Sequence, residues 1–301
     1  MNELYKKQVA LLIRIMPSVY RIQDFAVHGG TAINLFHKNM PRYSVDIDIT
    51  YIPIQNRDES LKAINAHLAE LKQMIEKTIP GIRITHKPDI WKLLCVKDGA
   101  TVKIEVNGTK RGIIGVSEDK SLCAKAQAEF NMGCTARVVS FTQLYGGKIS
   151  AALSRQHPRD LFDCKYMPFD SLDQAKDGLM FCLLGSDKPI LESLQPNPID
   201  QRDALQGQFE GMTDVPFSYE DYEATRKELI EEVNQLFTKE EDKEFFISFE
   251  QGDPEWDRCC AGDLSKYPSV KWKLQNIHRL KETNPEKFKA GVEKLREYLF
   301  K

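Results

Sequence analysis

Apolar positions along this chain recur at two different periods, and the changes between them mark its elements. Residues 1–23 carry apolar side chains at helical spacing, and "FAVHGG" (25–30) reads as a short strand running into a glycine turn. "TAINLFHK" (31–38) reads as a short helix ended by "MPRY", and "SVDIDITYI" (44–52) alternates as a strand does. "DESLKAINAHLAELKQMIEKTI" (58–79) has the stripe of an amphipathic helix, stopped by Pro80-Gly81. "RITHK" (83–87), "WKLLCVK" (91–97) and "TVKIEVNG" (101–108) read as strands, with "RGIIGV" (111–116) and "ARVVS" (136–140) as shorter candidates.

From Ser140 the helical period takes over. Ser140 and Gln143 have capping-box spacing at the head of a helix that reaches about Arg155. Pro158 opens another helix, "PRDLFDCKYM", and the chain from 171 on is mostly helical, with strong helices at 219–238 and 285–300. The stretch 195–218, rich in Pro, Gly and Asp, reads as a long connection. Strands mixed with helices, followed by helices alone, predict an α/β (α+β) fold in two domains, 1–170 and 171–301.

Composition excludes several classes. The 301 residues are 42% hydrophobic and 29% charged, which suits a globular chain with a sizeable core. No apolar run approaches the roughly 20 residues that span a bilayer. The first residues have charges after a short apolar run and no small-residue cleavage site, so no membrane role and a cytoplasmic location are expected. A net charge of −2 argues against a general nucleic-acid coat and leaves room for a local basic groove. Seven scattered cysteines without a CxxC pair fit reduced thiols, and Cys259-Cys260 reads as two buried ones.

Candidate chemistry begins with Asp46 and Asp48. On a strand they share one face, while Val45, Ile47 and Ile49 point into the core. Two carboxylates about 7 Å apart repel unless a cation lies between them. Mg²⁺ suits them, because it prefers hard oxygens and shares its shell with phosphates. The plainer alternative is a solvated edge strand with two surface acids. Gly29-Gly30 stands between a strand and a helix, where backbone N–H groups can meet a phosphate, and Thr31 adds a hydroxyl there; an ordinary tight turn is the alternative. Glu105 alternates with Val102, Ile104 and Val106, and joins the acids if its strand lies beside the first. Otherwise it belongs to an ordinary polar face.

A second group lies in "GGKISAALSRQHPRDLFDCKYM" (146–167). Lys148 and Arg155 are two turns apart on one helix face, with the small Ala151 between them, which leaves room for a polyanion such as a triphosphate. Leu144, Ile149, Ala152 and Leu153 face the core. Asp160 and Asp163 are helix neighbours. Arg159 with Asp163 has the spacing of a surface ion pair, and Asp160 that of a helix-dipole partner; either accounts for the acids without function.

In this order, "HGGTAINLF…RYSVDIDI" and "KISAALSRQHPRDLFD" resemble the AbiEii/AbiGii nucleotidyltransferase-like toxin family. These are the toxin halves of abortive-infection toxin–antitoxin pairs, within the polymerase-β-like nucleotidyltransferase superfamily. The family's Gly-Gly/Ser turn and DxD match Gly29-Gly30-Thr31 and Asp46-Ile47-Asp48. Its K-x-x-A with a following Arg matches Lys148, Ala151 and Arg155. Its [KR]-D-x-x-D matches Arg159, Asp160 and Asp163. The stretch "DPEWDRCCAGDLSKYPSVKWKLQNIHRL" is similar to its C-terminal region.

The resemblance implies a polymerase-β-like core with a mixed sheet, followed by a mostly helical C-terminal domain. It implies an Mg²⁺-dependent enzyme, with Mn²⁺ as a substitute, that transfers NMP from an NTP and releases pyrophosphate. Asp46 and Asp48 would hold the metal, with Glu105 as a third acid. Gly29, Gly30 and Thr31 would cradle phosphates. Lys148 would contact the triphosphate with help from Arg155, and Asp160 would act as base or position the acceptor. It further implies tRNA as leading acceptor, a cognate antitoxin and a role in phage defence.

Two rivals remain open. One is a transferase acting on a small molecule such as an aminoglycoside, or on a protein; the other is a non-catalytic nucleotide-binding partner module. Lys271, Lys273, Arg279 and Lys281 near Trp272 suit an RNA backbone, or a solvated helix face. His28 is read as a support for the turn, since a metal site would need more ligands than His28 and His37. Trp256, Trp272 and Tyr298 are read as core.

Overall fold

In the computed structural model, which describes residues 2–301, local chemistry fixes many element ends. Asn2 caps α1 (Glu3–Arg21), accepting from the Leu4 N–H at 2.8 Å. The chain continues through β1 (Phe25–His28), α2 (Gly29–Thr31), a π-helical turn over Ala32–His37, and β2 (Asp46–Tyr51). Asn56 caps α3 (Arg57–Thr78) by accepting from Glu59 N–H at 2.9 Å. The helix buries Ile64, Leu68, Leu71 and Ile75 on one stripe. β3 (Arg83–Lys87), β4 (Lys92–Lys97), β5 (Ala100–Val106), β6 (Glu118–Ser121), α4 (Ala124–Phe130) and β7 (Thr135–Val138) follow.

The seven strands make one mixed sheet in the order β3-β4-β5-β2-β1-β7-β6. β2, which carries Asp46 and Asp48, is therefore the central strand, and the edge-strand alternative falls. It runs antiparallel to β1 and parallel to β5. β5 alternates as expected: Ala100, Val102, Ile104 and Val106 are buried while Thr101, Lys103 and Glu105 are exposed. Burying each such Val or Ile contributes about 1.5–3 kcal/mol. α1 packs against β5 and β7, and α3 against β3 and β4.

Two readings change here. Residues 111–116 form no strand, because Gly112 (φ +89°) and Gly115 (φ +69°) break the extended run. In their place comes β6, the polar sequence "EDKS", which gave no apolar alternation. It sits at the sheet edge, where charged side chains are favoured.

The chain packs as two compact units, one formed by residues up to Ser140 with Asp203–Phe217, the other by Phe141–Arg202 with Ser218–Lys301. The packing seam thus comes at Ser140, where the sheet ends, and the second half of the 195–218 connection packs with the sheet. The second unit contains α5 (Phe141–Arg155), α6 (Pro158–Lys165), α7 (Lys176–Leu184) and α8 (Ile190–Leu194). A short α9 (Arg202–Ala204) precedes α10 (Tyr219–Leu236), α11 (Glu240–Glu250), α12 (Pro268–Thr283) and α13 (Pro285–Leu299). α5 and α7 meet backbone to backbone: a Cβ on Gly146 would lie 2.2 Å from the Gly178 carbonyl carbon, and one on Gly178 would lie 1.9 Å from the Thr142 oxygen.

Trp256, expected in the core, is half-buried and packs on the buried Phe245 and Phe249. Trp272, expected there too, is 55% exposed. Cys259 is buried but Cys260 is exposed, and all seven cysteines are free thiols. Among the described residues no helix is long and apolar enough to cross a membrane.

Candidate active site

The sheet register decides what surrounds the two aspartates. Asp48 lies beside Glu105 of β5 on one side and His28 of β1 on the other, and Asp46 lies beside Lys103. Residues paired across strands share a face, so these side chains stand together. Asp46 and Asp48 are each half-buried, whereas Ile47 and Ile49 beneath them are fully buried. Lys103 Nζ is 3.3 Å from Asp46 Oδ2, and Lys92 Nζ is 2.9 Å from Glu105 Oε2. The expected adjacency of Glu105 is present, with Lys92 already on its carboxylate.

The glycine turn packs directly on this strand. Gly29 has φ +70°, a conformation that L side chains rarely adopt. A Cβ there would lie 2.6 Å from Asp48 Oδ2. A Cβ on Gly30 would lie 2.8 Å from an Arg42 guanidinium nitrogen and 2.9 Å from Ser44 Oγ. Thr31 is fully buried; its hydroxyl donates to the Asp46 carbonyl, and its oxygen is 3.0 Å from Ser44 Oγ. The hydroxyl expected to face phosphate is thus turned inward and ties the turn to the acidic strand. Asn34 Nδ2 donates to the Gly30 carbonyl at 2.9 Å, and His28 Nδ1 lies 2.9 Å from Thr50 Oγ1, consistent with a supporting role.

Asn34, Arg42 and Lys92 escaped the sequence reading. Lys103 and Glu105 were visible as a polar alternation, but their partners depend on register. Arg42 lay in "MPRY", read only as a helix end. It is 3% exposed and donates to the Tyr43 carbonyl at 2.8 Å.

The second group forms a cluster on α5 and α6. Lys148 Nζ is 2.9 Å from Asp160 Oδ1 and 2.9 Å from Asp163 Oδ2. Arg155 bonds Asp160 Oδ2 at 2.8 Å. Lys148, Asp160 and Asp163 are each at most 5% exposed, but the Arg155 side chain is 66% exposed. Asp163 therefore pairs with Lys148, where a surface pair with Arg159 had been the alternative. Lys148 sits between two carboxylates rather than open to a triphosphate, and Arg155 is the cation that meets solvent. Burial, with the Asp163 charge as a lesser cause, pushes the neighbouring Tyr145 phenol well up and keeps it neutral.

Asp46 and Asp48 suit a divalent cation. They offer hard oxygens on one half-open face, and the bare Cα of Gly29 leaves space against Asp48. Among the described residues no group of three or more His, Cys, Asp or Glu forms a complete metal cage. Two protein carboxylates with substrate phosphates and water would fill an Mg²⁺ shell.

A sequence model of a protein family, described as nucleotidyl transferase AbiEii toxin of type IV toxin–antitoxin systems, matches residues 11–276. Among solved structures, the chain is similar to MenT4, a nucleotidyltransferase toxin from Mycobacterium tuberculosis H37Rv. The two share 13% sequence identity with a TM-score of 0.60, over 91% of this chain and 93% of that one. At this identity the likeness is one of fold. No curated protein matches by sequence.

Proposed function

This chain belongs to the AbiEii family of nucleotidyltransferase toxins of type IV toxin–antitoxin systems, and from that premise we propose that it transfers NMP from an NTP to tRNA, using Mg²⁺ held by Asp46 and Asp48. The observation that carries this reading is the aspartate pair on the half-open face of the central strand, with the Gly29 turn packed on Asp48. A toxin of this kind has a cognate antitoxin, and the reaction we propose takes place in the cytosol. The motif residues run from Gly29 to Asp163, so 1–170 is taken as the nucleotidyltransferase domain and 171–301 as the helical C-terminal domain.

Bound by Asp46 and Asp48, Mg²⁺, or Mn²⁺ in its stead, would neutralise phosphate charge and polarise the α-phosphoryl group. Backbone N–H groups of Gly29 and Gly30 would receive phosphate oxygens, with Thr31 holding the turn to the strand. Glu105 would join the acids by giving up Lys92. Arg155 would bind the triphosphate from solvent, while Lys148 would do so only on leaving its carboxylate partners. The acceptor hydroxyl oxygen attacks the α-phosphorus, its bond to phosphorus forms, and the bond to the β-phosphate oxygen breaks as pyrophosphate departs. Asp160 could take the hydroxyl proton once that hydroxyl replaces Arg155 on Oδ2.

The test is incubation of purified protein with Mg²⁺, each α-³²P NTP and total bacterial RNA or total protein, with Asp46→Ala as control. Label on tRNA that disappears in the variant supports the reading and names the base. Label on protein, or on neither, removes tRNA as acceptor.

A further inference from the structure

Charge is distributed very unevenly in this chain. From Leu264 to Lys301 there are ten lysines and arginines against four glutamates, a net of +6. The whole chain carries −2, so the first 263 residues carry −8. The basic segment is the hairpin of α12 and α13, which pack on each other. The inner side of α12 is anchored: Lys273 is 6% exposed and donates to the Leu183 and Lys188 carbonyls at 3.0 and 2.7 Å.

The outer side is different. Lys271, Arg279, Lys287, Lys289 and Lys294 are exposed, and among the described residues none of them has a carboxylate within 4.0 Å. Some exposed cations elsewhere are paired, as Lys165 is with Asp221 and Arg202 with Asp200; the hairpin is distinguished by the number of bare cations gathered on one short segment of net charge +6. Trp272 stands 55% exposed among these cations. It shares a face of α12 with Arg279, seven residues and about 10 Å further along, and Lys287 and Lys294 repeat that spacing on α13. An uncompensated cationic surface with a bare indole matches the charge and the stacking needs of an RNA strand.

We propose that the exposed face of the α12–α13 hairpin binds the RNA acceptor, its cations on phosphates and Trp272 under an unpaired base. This rests on the RNA-acceptor reading given above and assigns that acceptor a docking surface. An acidic protein would find the cations but give Trp272 no base to stack, so RNA is the favoured occupant.

The test is direct binding of total tRNA to the full chain, without NTP, at about 50 and about 200 mM salt. Lys271→Glu/Arg279→Glu is compared with Lys62→Glu/Lys77→Glu, which makes the same charge change on exposed positions of α3. Equal thermal midpoints establish that both are folded. The hairpin variant should bind tRNA at least about tenfold more weakly than the control variant and show a salt slope shallower by about 1.4. Trp272→Ala should weaken binding at least about fivefold and leave the slope unchanged. Equal affinities in the two charge variants, or wild-type protein that does not retain tRNA at low salt, overturn the proposal. Hairpin-dependent tRNA binding without transfer of label to RNA leaves the docking surface standing and removes RNA as acceptor. Label transfer to RNA with unchanged binding in the hairpin variant does the reverse.

Discussion

Asp48 Oδ2 lies 2.6 Å from the point where any other residue at position 29 would carry its Cβ. The turn and the acidic strand are therefore fitted to each other, with φ +70° at Gly29 as a second constraint. Gly29→Ala should cost about 1–2 kcal/mol from the backbone alone. It should also displace Asp48, lowering transfer about a hundredfold, the scale associated with a shift of about 1 Å in a reacting group. Single-turnover rates and urea midpoints measure the two effects. A variant with wild-type turnover would show that Asp48 need not hold its position.

Asp48→Ala should abolish transfer and leave stability unchanged or slightly raised, since it removes one of two like charges on a half-open face. Calorimetry and the labelling assay give both readouts on one preparation. Full activity would end the metal assignment.

Lys148 should behave as a structural cation before anything else. Lys148→Ala leaves Asp160 and Asp163 buried and facing each other, and the loss of stability should be about 3–5 kcal/mol. Adding Asp160→Asn and Asp163→Asn should restore much of it. Arg155→Ala, at an exposed position, should cost less than about 1 kcal/mol yet weaken NTP binding. Denaturant melts with and without NTP separate the two. A mild Lys148→Ala would mean that the carboxylates relax to solvent.

Acid should destabilise the sheet unit through its histidines. Burial holds the His37 pKa below its ordinary 6.5, with the Lys120 charge as a second cause, and burial does the same to His86. Below pH about 6.5 the unfolded chain takes up protons that the folded chain refuses. Stability contributed by neutral His37 and His86 is thus full above that pH and falls as pH drops towards their folded values. Urea midpoints from pH 7.5 to 5 should decline, and His37→Asn should flatten the curve. An unchanged slope in the variant would remove His37 from the account.

Much of the sheet unit was legible because it rests on local rules. The Ile47/Ile49 alternation, the Gly-Gly turn and the α3 stripe are short-range patterns, and they appear as β2, α2 and α3. The strand 83–87 and the helix opened by Pro158 also fall where periodicity and proline put them. What could not be read depends on partners distant in sequence. Lys103 beside Asp46 requires the parallel β2–β5 register, and the central position of β2 requires the whole strand order. Thr31 turned inward, towards the Asp46 carbonyl, because its side chain is fully enclosed, which a motif cannot reveal. Lys148 and Arg155 share a helix face in spacing and both bond Asp160 of α6, yet Lys148 is enclosed between two carboxylates while Arg155 stays open to solvent. Trp272 shows the opposite error: a large apolar ring was assigned to the core by type, and the fold leaves it outside.

Gly29, Gly146 and Gly178 have a consequence for heredity. Every missense change in a glycine codon adds a Cβ, and at these three positions that atom meets a carboxylate oxygen or another helix's backbone within 2.6 Å. Cells that survive this toxin without its antitoxin should therefore carry single-base lesions at these codons far above their share of the gene. Point mutations at exposed positions away from Arg155 and the α12–α13 face would leave the poison intact.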